Sequence, residues 1–504
     1  MDDWRQLTDG LGRRLGPEPE RIAGLAYDSR RVEPGFCFIA VPGFRLDGHD
    51  FIPEALARGA RALVVQRAEA VPEGVAALVV EDARAAMARL AARFYDHPSR
   101  ELGLVGVTGT NGKTTTTYMS RAVLETAAPT GLIGTVQTIV GRRALPAERT
   151  TPEAPDLQRL LRAMRVAGDR FAVMEVSSEG LALHRADALD FNVAVFTNLT
   201  QDHLNFHGTM EAYFEAKARL FDMLAEVPEG GRGGGPRGAV INADDAYGRR
   251  LLGRCRVPVV TYGLERPADI HALDVAAGSE GLAFTLAYPG GALPVRLKVG
   301  GRFNVYNALA AFGVGWLFGI EPERAVAALA RVEGVPGRFE HVRAGQAFTV
   351  VVDYAHSPDG LENVLRSARE VASGRVIAVF GAGGDRDRTK RPLMGRVAAR
   401  LADVVVLTSD NPRSEDPERI LDDIAAGAQE EAAASGARIL REVDRRAGIR
   451  RALEEARAGD IVVIAGKGHE TYQIFRDRTI HFDDREVALE ELRALGYGEG
   501  GGQG

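Results

Sequence analysis

The sequence predicts an α/β protein with mainly parallel sheets, and three observations carry that prediction. Apolar runs of strand length alternate with longer amphipathic stretches along nearly all 504 residues, the pattern of strands joined by helical crossovers. One such run, 102–107, passes directly into a glycine-rich turn and then a helical pattern. Several later runs end in clusters of charged and polar residues, as strands do where ligands sit beyond their C-terminal ends.

Taken in order, the elements fall into three blocks, within the two to four domains that this length suggests. The first, 1–100, holds strand candidates at 35–41 and 62–66 with helical patterns between them. The second, 101–335, opens at 102–107 and carries further strands at 171–176 and 192–197. Its stretch 230–238, GGRGGGPRG, reads as a flexible surface insertion rather than a domain joint. The third, 336–504, places strands at 348–353, 375–380, 403–408 and 460–464, and its tail, EGGGQG, is expected to be disordered. No internal repeat or coiled-coil run is visible.

The composition, 45% hydrophobic and 26% charged, is that of a globular protein able to bury one or more cores. A net charge of −6 argues against a nucleic-acid binder, which needs a basic face. The two cysteines, Cys37 and Cys255, belong to no CxxC pair, which argues against a disulfide framework or a cysteine zinc site and fits a reducing compartment. The N-terminus begins acidic without a signal-peptide core. The best apolar run, 309–320, is short of the roughly 20 residues needed to span a bilayer. The expectation is a cytoplasmic protein with no membrane insertion.

The strongest chemical signal is GVTGTNGKTTTT, from Gly106 to Thr117. Glycines let backbone N–H groups converge on phosphate oxygens, and the following helix N-terminus adds its dipole. Lys113 is placed to meet the β- and γ-phosphates of ATP, and the Thr114 hydroxyl to reach Mg²⁺. The strict phosphate-loop pattern fails at one place, since Val107 stands where a glycine is wanted.

Two further strands of this block end in polar residues. FAVMEVSS ends at Glu175, Ser177 and Ser178; the next ends at Asn198, Thr200, Asp202, His203 and His207. Glu175 and His203 are candidates for a second Mg²⁺, a carboxylate being the natural hard ligand. The alternative for His203 is a loop cap. Lys217 sits among aromatic and aliphatic residues in YFEAKARLF. Apolar surroundings lower an amine's pKa, and a neutral amine can add CO₂; the ordinary alternative is a lysine that snorkels to solvent.

In the third block, GAGGDRDRTKRP, SDNPRSED and AGKGHE each follow a strand, so a parallel sheet would bring them to one crevice. Arg386 and Arg413 suit carboxylates in bidentate fashion, and Asp410 and Glu470 suit ammonium groups. Together they fit a zwitterionic amino acid. A dinucleotide fingerprint at 381–384 is rejected because Arg386 occupies the third glycine position. Asn411-Pro412 alone would also read as a turn.

In sequence order, TGTNGKTT, EVSS, NLTQDH, EAKARLF, GRFNVYNALAA, PGRFE, DYAHSPD, GGDRDRTKRP, DNPR and GKGHE resemble the motifs of the Mur ligases over essentially the whole chain. The resemblance implies three domains: a UDP-MurNAc-binding domain (1–100), a central ATP-binding domain (101–335) and a Rossmann-like amino-acid-binding domain (336–504). It implies an ATP site of Gly109, Thr110, Asn111, Gly112, Lys113, Thr114 and Thr115 with Asn304, Arg338 and Asp353, and His356 adjoining. It places Ser29 and the loop 44–46 near the uridine nucleotide, and Thr150, Thr151, Ser177 and Arg185 on the peptide. It makes Lys217 a carbamylated lysine that joins Thr114, Glu175 and His203 around metal. Arg386, Asp410, Asn411, Pro412, Arg413, Gly466 and Glu470 would receive the incoming amino acid, and DNPR resembles the form that takes diaminopimelate. Leu183, Glu179 and the triplet Phe44-Arg45-Leu46 depart from residues found in relatives.

The implied reaction adds meso-2,6-diaminopimelate to the D-glutamyl carboxylate of UDP-MurNAc-L-Ala-D-Glu through an acyl phosphate, with the enzyme as a monomer. Two alternatives stand beside it: a folylpolyglutamate-synthase-like or other Mur-type ligase, and a non-catalytic nucleotide-binding scaffold. The second is disfavoured by Lys113, Glu175, His203 and Lys217 all being present.

Overall fold

The computed structural model describes residues 3–43, 46–226, 235–278 and 281–498. Phe44, Arg45, most of the glycine-rich stretch at 230–238 and the EGGGQG tail therefore lie outside the described residues.

Three main sheets follow one another along the chain. The first has five strands, in the order Arg13–Leu15, Ala76–Val79, Ala62–Val65, Phe36–Ile39 and Gly24–Ala26, parallel except at the Arg13–Leu15 edge. The second has eleven strands. At its heart Val259–Gly263, Gly238–Asn242, Val193–Phe196, Gly103–Thr108, Phe171–Glu175 and Thr130–Ile133 lie side by side and parallel. Gln137–Val140 and Arg143–Pro146 extend one edge antiparallel; on the other, Ile270–Gly278 joins in parallel and Gly281–Tyr288 and Gly291–Leu297 follow antiparallel. The third orders Glu340–His341, Thr349–Asp353, Ile461–Ala465, Val376–Phe380, Val404–Leu407 and Arg438–Arg441, all parallel except the first.

The strand Gly103–Thr108 is buried at every residue, because helices cover both sheet faces. Val105 and Val107 pack with Val123 and Leu309 on one side; Leu104 packs with Met174 and Phe191 on the other. Burying each such side chain stabilises the fold by about 1.5–3 kcal/mol. Gly106 belongs to this packing: a Cβ there would lie 2.7 Å from the Phe191 ring.

Strand register then decides what meets at the strand ends. Glu175 pairs with Val107, and Phe196 pairs with Thr108. The glycine turn thus emerges between the ends of the strands carrying Glu175 and the Asn198–His203 loop. Cys37 and Cys255 are both free. Among the described residues no helix is long and apolar enough to cross a membrane.

Candidate functional site

The turn after Gly103–Thr108 bends at Gly109 and Gly112, and the helix Lys113–Leu124 starts immediately. Gly112 has φ +84°, and a Cβ there would stand 2.5 Å from Asn307 Oδ1, so both conformation and space call for glycine. Neighbouring strand ends fix the loop. Asn111 N donates to Asn198 Oδ1 at 2.9 Å, and Thr197 Oγ1 donates to Asn111 O at 2.6 Å. Lys113 folds back on the loop, its Nζ donating to Gly109 O (3.0 Å) and Thr110 O (2.9 Å). Burial lowers the Lys113 pKa against the opposing pull of Glu175. Phosphate oxygens would supply an anionic partner in place of these neutral carbonyls.

Glu175 is 1% exposed at its strand end. Thr114 Oγ1 donates to its Oε2 at 3.1 Å, Thr135 Oγ1 donates to the same oxygen at 3.0 Å, and Thr135 N donates to Oε1 at 2.8 Å. Arg338 Nη2 donates to Thr114 Oγ1 at 3.1 Å while its guanidinium lies over the Tyr354 ring. Thr114 and Glu175 thus form a hard-oxygen pair of the kind Mg²⁺ accepts alongside phosphate oxygens and water. No group of three or more histidine, cysteine, aspartate or glutamate side chains with metal-binding geometry occurs among the described residues.

His203 stands across the glycine turn. It precedes the short helix Leu204–His207 with φ +54°, and its side chain makes no capping bond to that helix. Its ring lies 3.7 Å from Glu179 Oε1 and 3.6 Å from Asp202 Oδ2. His356 approaches the same Asp202 oxygen at 3.8 Å. The side chain is 40% exposed, yet desolvation in the cleft outweighs the neighbouring Asp202 and holds its pKa well below the usual histidine value.

Lys217 does not snorkel. It is 1% exposed, its Nζ donates to Gly109 O at 2.8 Å, and the Tyr213 ring lies 4.6 Å away. Burial, then the nearby Lys113, drives its pKa far below 10.5. Among the described residues no direct bond links Glu175, His203 and Lys217; Tyr213, which touches both the His203 ring and Lys217, lies between them.

A cavity of about 750 Å³ connects the glycine turn, Glu175 and His203, while Lys217 lies outside its lining. Lys113, Thr114, Glu175, His203, Thr150, Thr151, Ser177 and Arg185 line it, and the third sheet's side contributes Arg338, Asp353 and His356. Asp353 accepts the amides of Phe339 and Ala355 at 2.8 Å each. Ser177 caps the helix Ser178–Ala182 through a bond from Gly180 N. Arg185 donates to Thr151 O and pairs with the buried Glu153, which also takes Arg84 and Arg149. Asn304 lies outside the lining but is bonded to Asn307, which lines it and whose Nδ2 donates to Asn304 Oδ1 at 2.8 Å. Ser29 is remote, buried against Glu54, while Leu46 is 67% exposed.

The third-sheet loops gather as a parallel sheet requires. Arg386 and Arg413 converge on Gly383: a Cβ there would lie 2.9 Å from Arg413 Nη1 and 3.6 Å from Arg386 Cγ. Arg413 adopts φ +52°, its N donates to Ile474 O at 3.0 Å, and its Nη1 donates to Gly384 O at 2.7 Å. Asn411 Nδ2 and Lys467 Nζ both donate to Glu470 Oε2 at 2.9 Å. Gly466, at φ +116°, faces Asp410: a Cβ would lie 2.7 Å from its Oδ2. Pro412 joins Asn411 to Arg413, and its carbonyl accepts Glu415 N. These residues lie outside the cavity's lining, but Tyr354, which lines it, packs its ring 4.9 Å from that of His469.

Sequence reading missed several members of this network. Asn307 follows Asn304 by three residues, the spacing of neighbours on one helix face, and was legible on that ground. Thr135, Tyr213, Glu153 and Asp359, which accepts Asn111 Nδ2 at 2.6 Å, carry no comparable local signal.

The family model of the Mur ligase middle domain matches residues 107–315. That of the Mur ligase glutamate ligase domain matches 337–468, and that of the Mur ligase family catalytic domain matches 21–95. A Solibacter usitatus protein named UDP-N-acetylmuramoyl-L-alanyl-D-glutamate--2,6-diaminopimelate ligase is 49% identical over 97% of both chains. A protein of the same name from Gloeobacter violaceus is 50% identical over 96% of both. A solved structure of a ligase with that name is 34% identical, covering 99% of this chain and 100% of its own, with a TM-score of 0.68.

Proposed function

The chain belongs to the Mur ligase family, and from that premise and the geometry of the cleft we propose that it is the ligase joining 2,6-diaminopimelate to UDP-N-acetylmuramoyl-L-alanyl-D-glutamate at the expense of ATP. One observation carries the reading. The glycine turn with Lys113, the Thr114–Glu175 pair, Arg185 and Arg338 share one cavity, and the ring of Tyr354 in that cavity touches the loop bearing Glu470. Its three domains on this reading are 1–100, 101–335 and 336–504. The free cysteines fit a reducing compartment, and we place the reaction in the cytoplasm.

A carboxylate does not accept an amine at neutral pH, so it must first be activated. An oxygen of the D-glutamyl γ-carboxylate attacks the γ-phosphorus of ATP, ADP departs, and an acyl phosphate results. The neutral amine of meso-diaminopimelate then adds to its carbonyl, and the tetrahedral intermediate expels phosphate. Phosphoryl transfer asks for positioning and charge neutralisation more than covalent help. The loop amides and Lys113 hold the phosphates, and Arg338 extends positive charge over them. Thr114 and Glu175 would hold Mg²⁺, which when bound neutralises developing charge on the phosphates. His203 and a carbamylated Lys217 are the candidates for a second ion. Burial that lowers the Lys217 pKa favours the unprotonated amine, the form that takes up CO₂ to become an anionic ligand.

Thr150, Thr151, Ser177 and Arg185 would orient the peptide. Arg386 and Arg413 would take carboxylates of the amino acid, and Asp410 and Glu470 its ammonium groups. Bringing substrates together in this way converts an encounter of three molecules into one oriented step. The test is ADP release, with mass analysis of the product, using UDP-MurNAc-L-Ala-D-Glu and a panel of amino acids. Turnover with meso-diaminopimelate is expected; failure of diaminopimelate, lysine and ornithine alike would overturn the assignment.

A further inference from the structure

The third sheet fixes the spacing of adjacent strand ends only. Val404–Leu407 and Ile461–Ala465 each pair with Val376–Phe380 and not with each other. The loops that follow them, carrying Asp410 to Arg413 and Gly466 to Glu470, are therefore a strand apart at the end of the sheet.

Arg445 spans that gap. Its Nη1 donates to Ser409 O at 3.1 Å and its Nη2 to Ala465 O at 3.0 Å. These carbonyls belong to the residues immediately before Asp410 and Gly466. The same guanidinium holds both oxygens of Asp484, at 2.8 and 2.7 Å, and neither side chain has any exposure. Arg445 opens the helix Arg445–Glu455 and Asp484 opens the helix Asp484–Ala494.

A buried ion pair adds no stability that a well-packed apolar pair could not match. The pair therefore calls for a role beyond stability, and the carbonyl bonds supply one. A planar guanidinium presents its donors in fixed directions, so Arg445 fixes the main-chain separation at the base of two loops whose side chains meet further out, where Asn411 Nδ2 donates to Glu470 Oε2. Over it the loops meet closely: a Cβ on Gly466 would lie 2.7 Å from Asp410 Oδ2 and 3.9 Å from Arg445 Nη2.

We infer that Arg445, locked by Asp484, is a positioning residue for the incoming amino acid, holding the Asp410 and Gly466 loops at the separation that its ammonium and carboxylate groups require. The inference rests on the proposed reading of these loops as the amino-acid site. Two variants test it. Arg445→Lys leaves a cation for Asp484 but cannot reach both carbonyls. Arg445→Met with Asp484→Leu removes both charges and leaves neither orphaned. In both, the KM for diaminopimelate is expected to rise about 10- to 100-fold, the scale of a small misplacement of reacting groups. The KM values for ATP and for the nucleotide-linked peptide should stay within about twofold, a split that general loosening of the fold would not produce.

An unchanged KM for diaminopimelate, or equal shifts in all three values, overturns the inference. If Arg445→Lys does not fold, the double variant decides by the same split. If the wild-type enzyme turns over no diaminopimelate, the proposed function falls instead, and the comparison is made with the amino acid it does accept.

Discussion

On the proposed reading, replacing Arg413 with alanine removes the guanidinium that meets the distal carboxylate of diaminopimelate. The substitution is clean in backbone terms. Arg413 sits at φ +52°, a strained setting for any residue with a Cβ, and alanine inherits that strain without adding to it. The main-chain bond from Arg413 N to Ile474 O survives. What is lost is the charge partner and one bond to Gly384 O. Truncating one side of a desolvated charge pair costs about 2–5 kcal/mol, and the partial exposure of Arg413 places it in the lower part, about 2–3 kcal/mol. That is a loss of roughly 30- to 150-fold in kcat/KM for diaminopimelate. Lysine lacks the distal carboxylate and has nothing to lose, so it serves as the internal control in the same ADP-release assay at high amino-acid concentration. The preference for diaminopimelate over lysine should fall by the same factor. An equal loss for both amino acids would mean that the loop had merely moved, and an unchanged preference would remove Arg413 from recognition.

Gly112→Ala should raise the KM for ATP about tenfold, because a left-handed alanine costs roughly 1–2 kcal/mol and its Cβ presses on Asn307; titrating ATP in the same assay checks this. Glu175→Gln keeps the side chain's shape but removes the charge. The Mg²⁺ concentration for half-maximal activity should then rise by at least the roughly tenfold that losing even an outer-shell partner costs. Lys217 has a folded-state pKa far below its 10.5 in the unfolded chain. The unfolded state therefore binds the extra proton, and stability rises with pH between those two values. Melting curves in carbonate-free buffer without nucleotide should show that slope in the wild type and a flatter one in Lys217→Met.

The strand ends were legible because each announces itself locally: an apolar run breaks into polar residues at Thr108, Glu175 and Thr197, and the sheet delivers them side by side. The Lys113 turn was legible for the same reason, although Gly106 serves packing against Phe191 rather than close phosphate approach. Lys217 was harder, since a lysine in an apolar helix is ambiguous until burial fixes whether it reaches solvent; here it bonds a carbonyl 108 residues away. The bond from Asn111 to Asp359, the arginines gathered on Glu153 and the span of Arg445 across an intervening strand join residues far apart in sequence. Their partners are chosen by topology, and no local pattern encodes them. The antiparallel strands between Ile270 and Leu297 likewise lie beyond the strands that the sequence singled out.

The central claim is that the cleft around Lys113 joins a phosphate of ATP to the D-glutamyl carboxylate before the amine arrives. The most direct measurement labels both oxygens of that γ-carboxylate with ¹⁸O, runs the reaction with ATP and meso-diaminopimelate, and weighs the released phosphate. Phosphate carrying one ¹⁸O, formed in step with the tripeptide product, is the expected result. Unlabelled phosphate would contradict the claim.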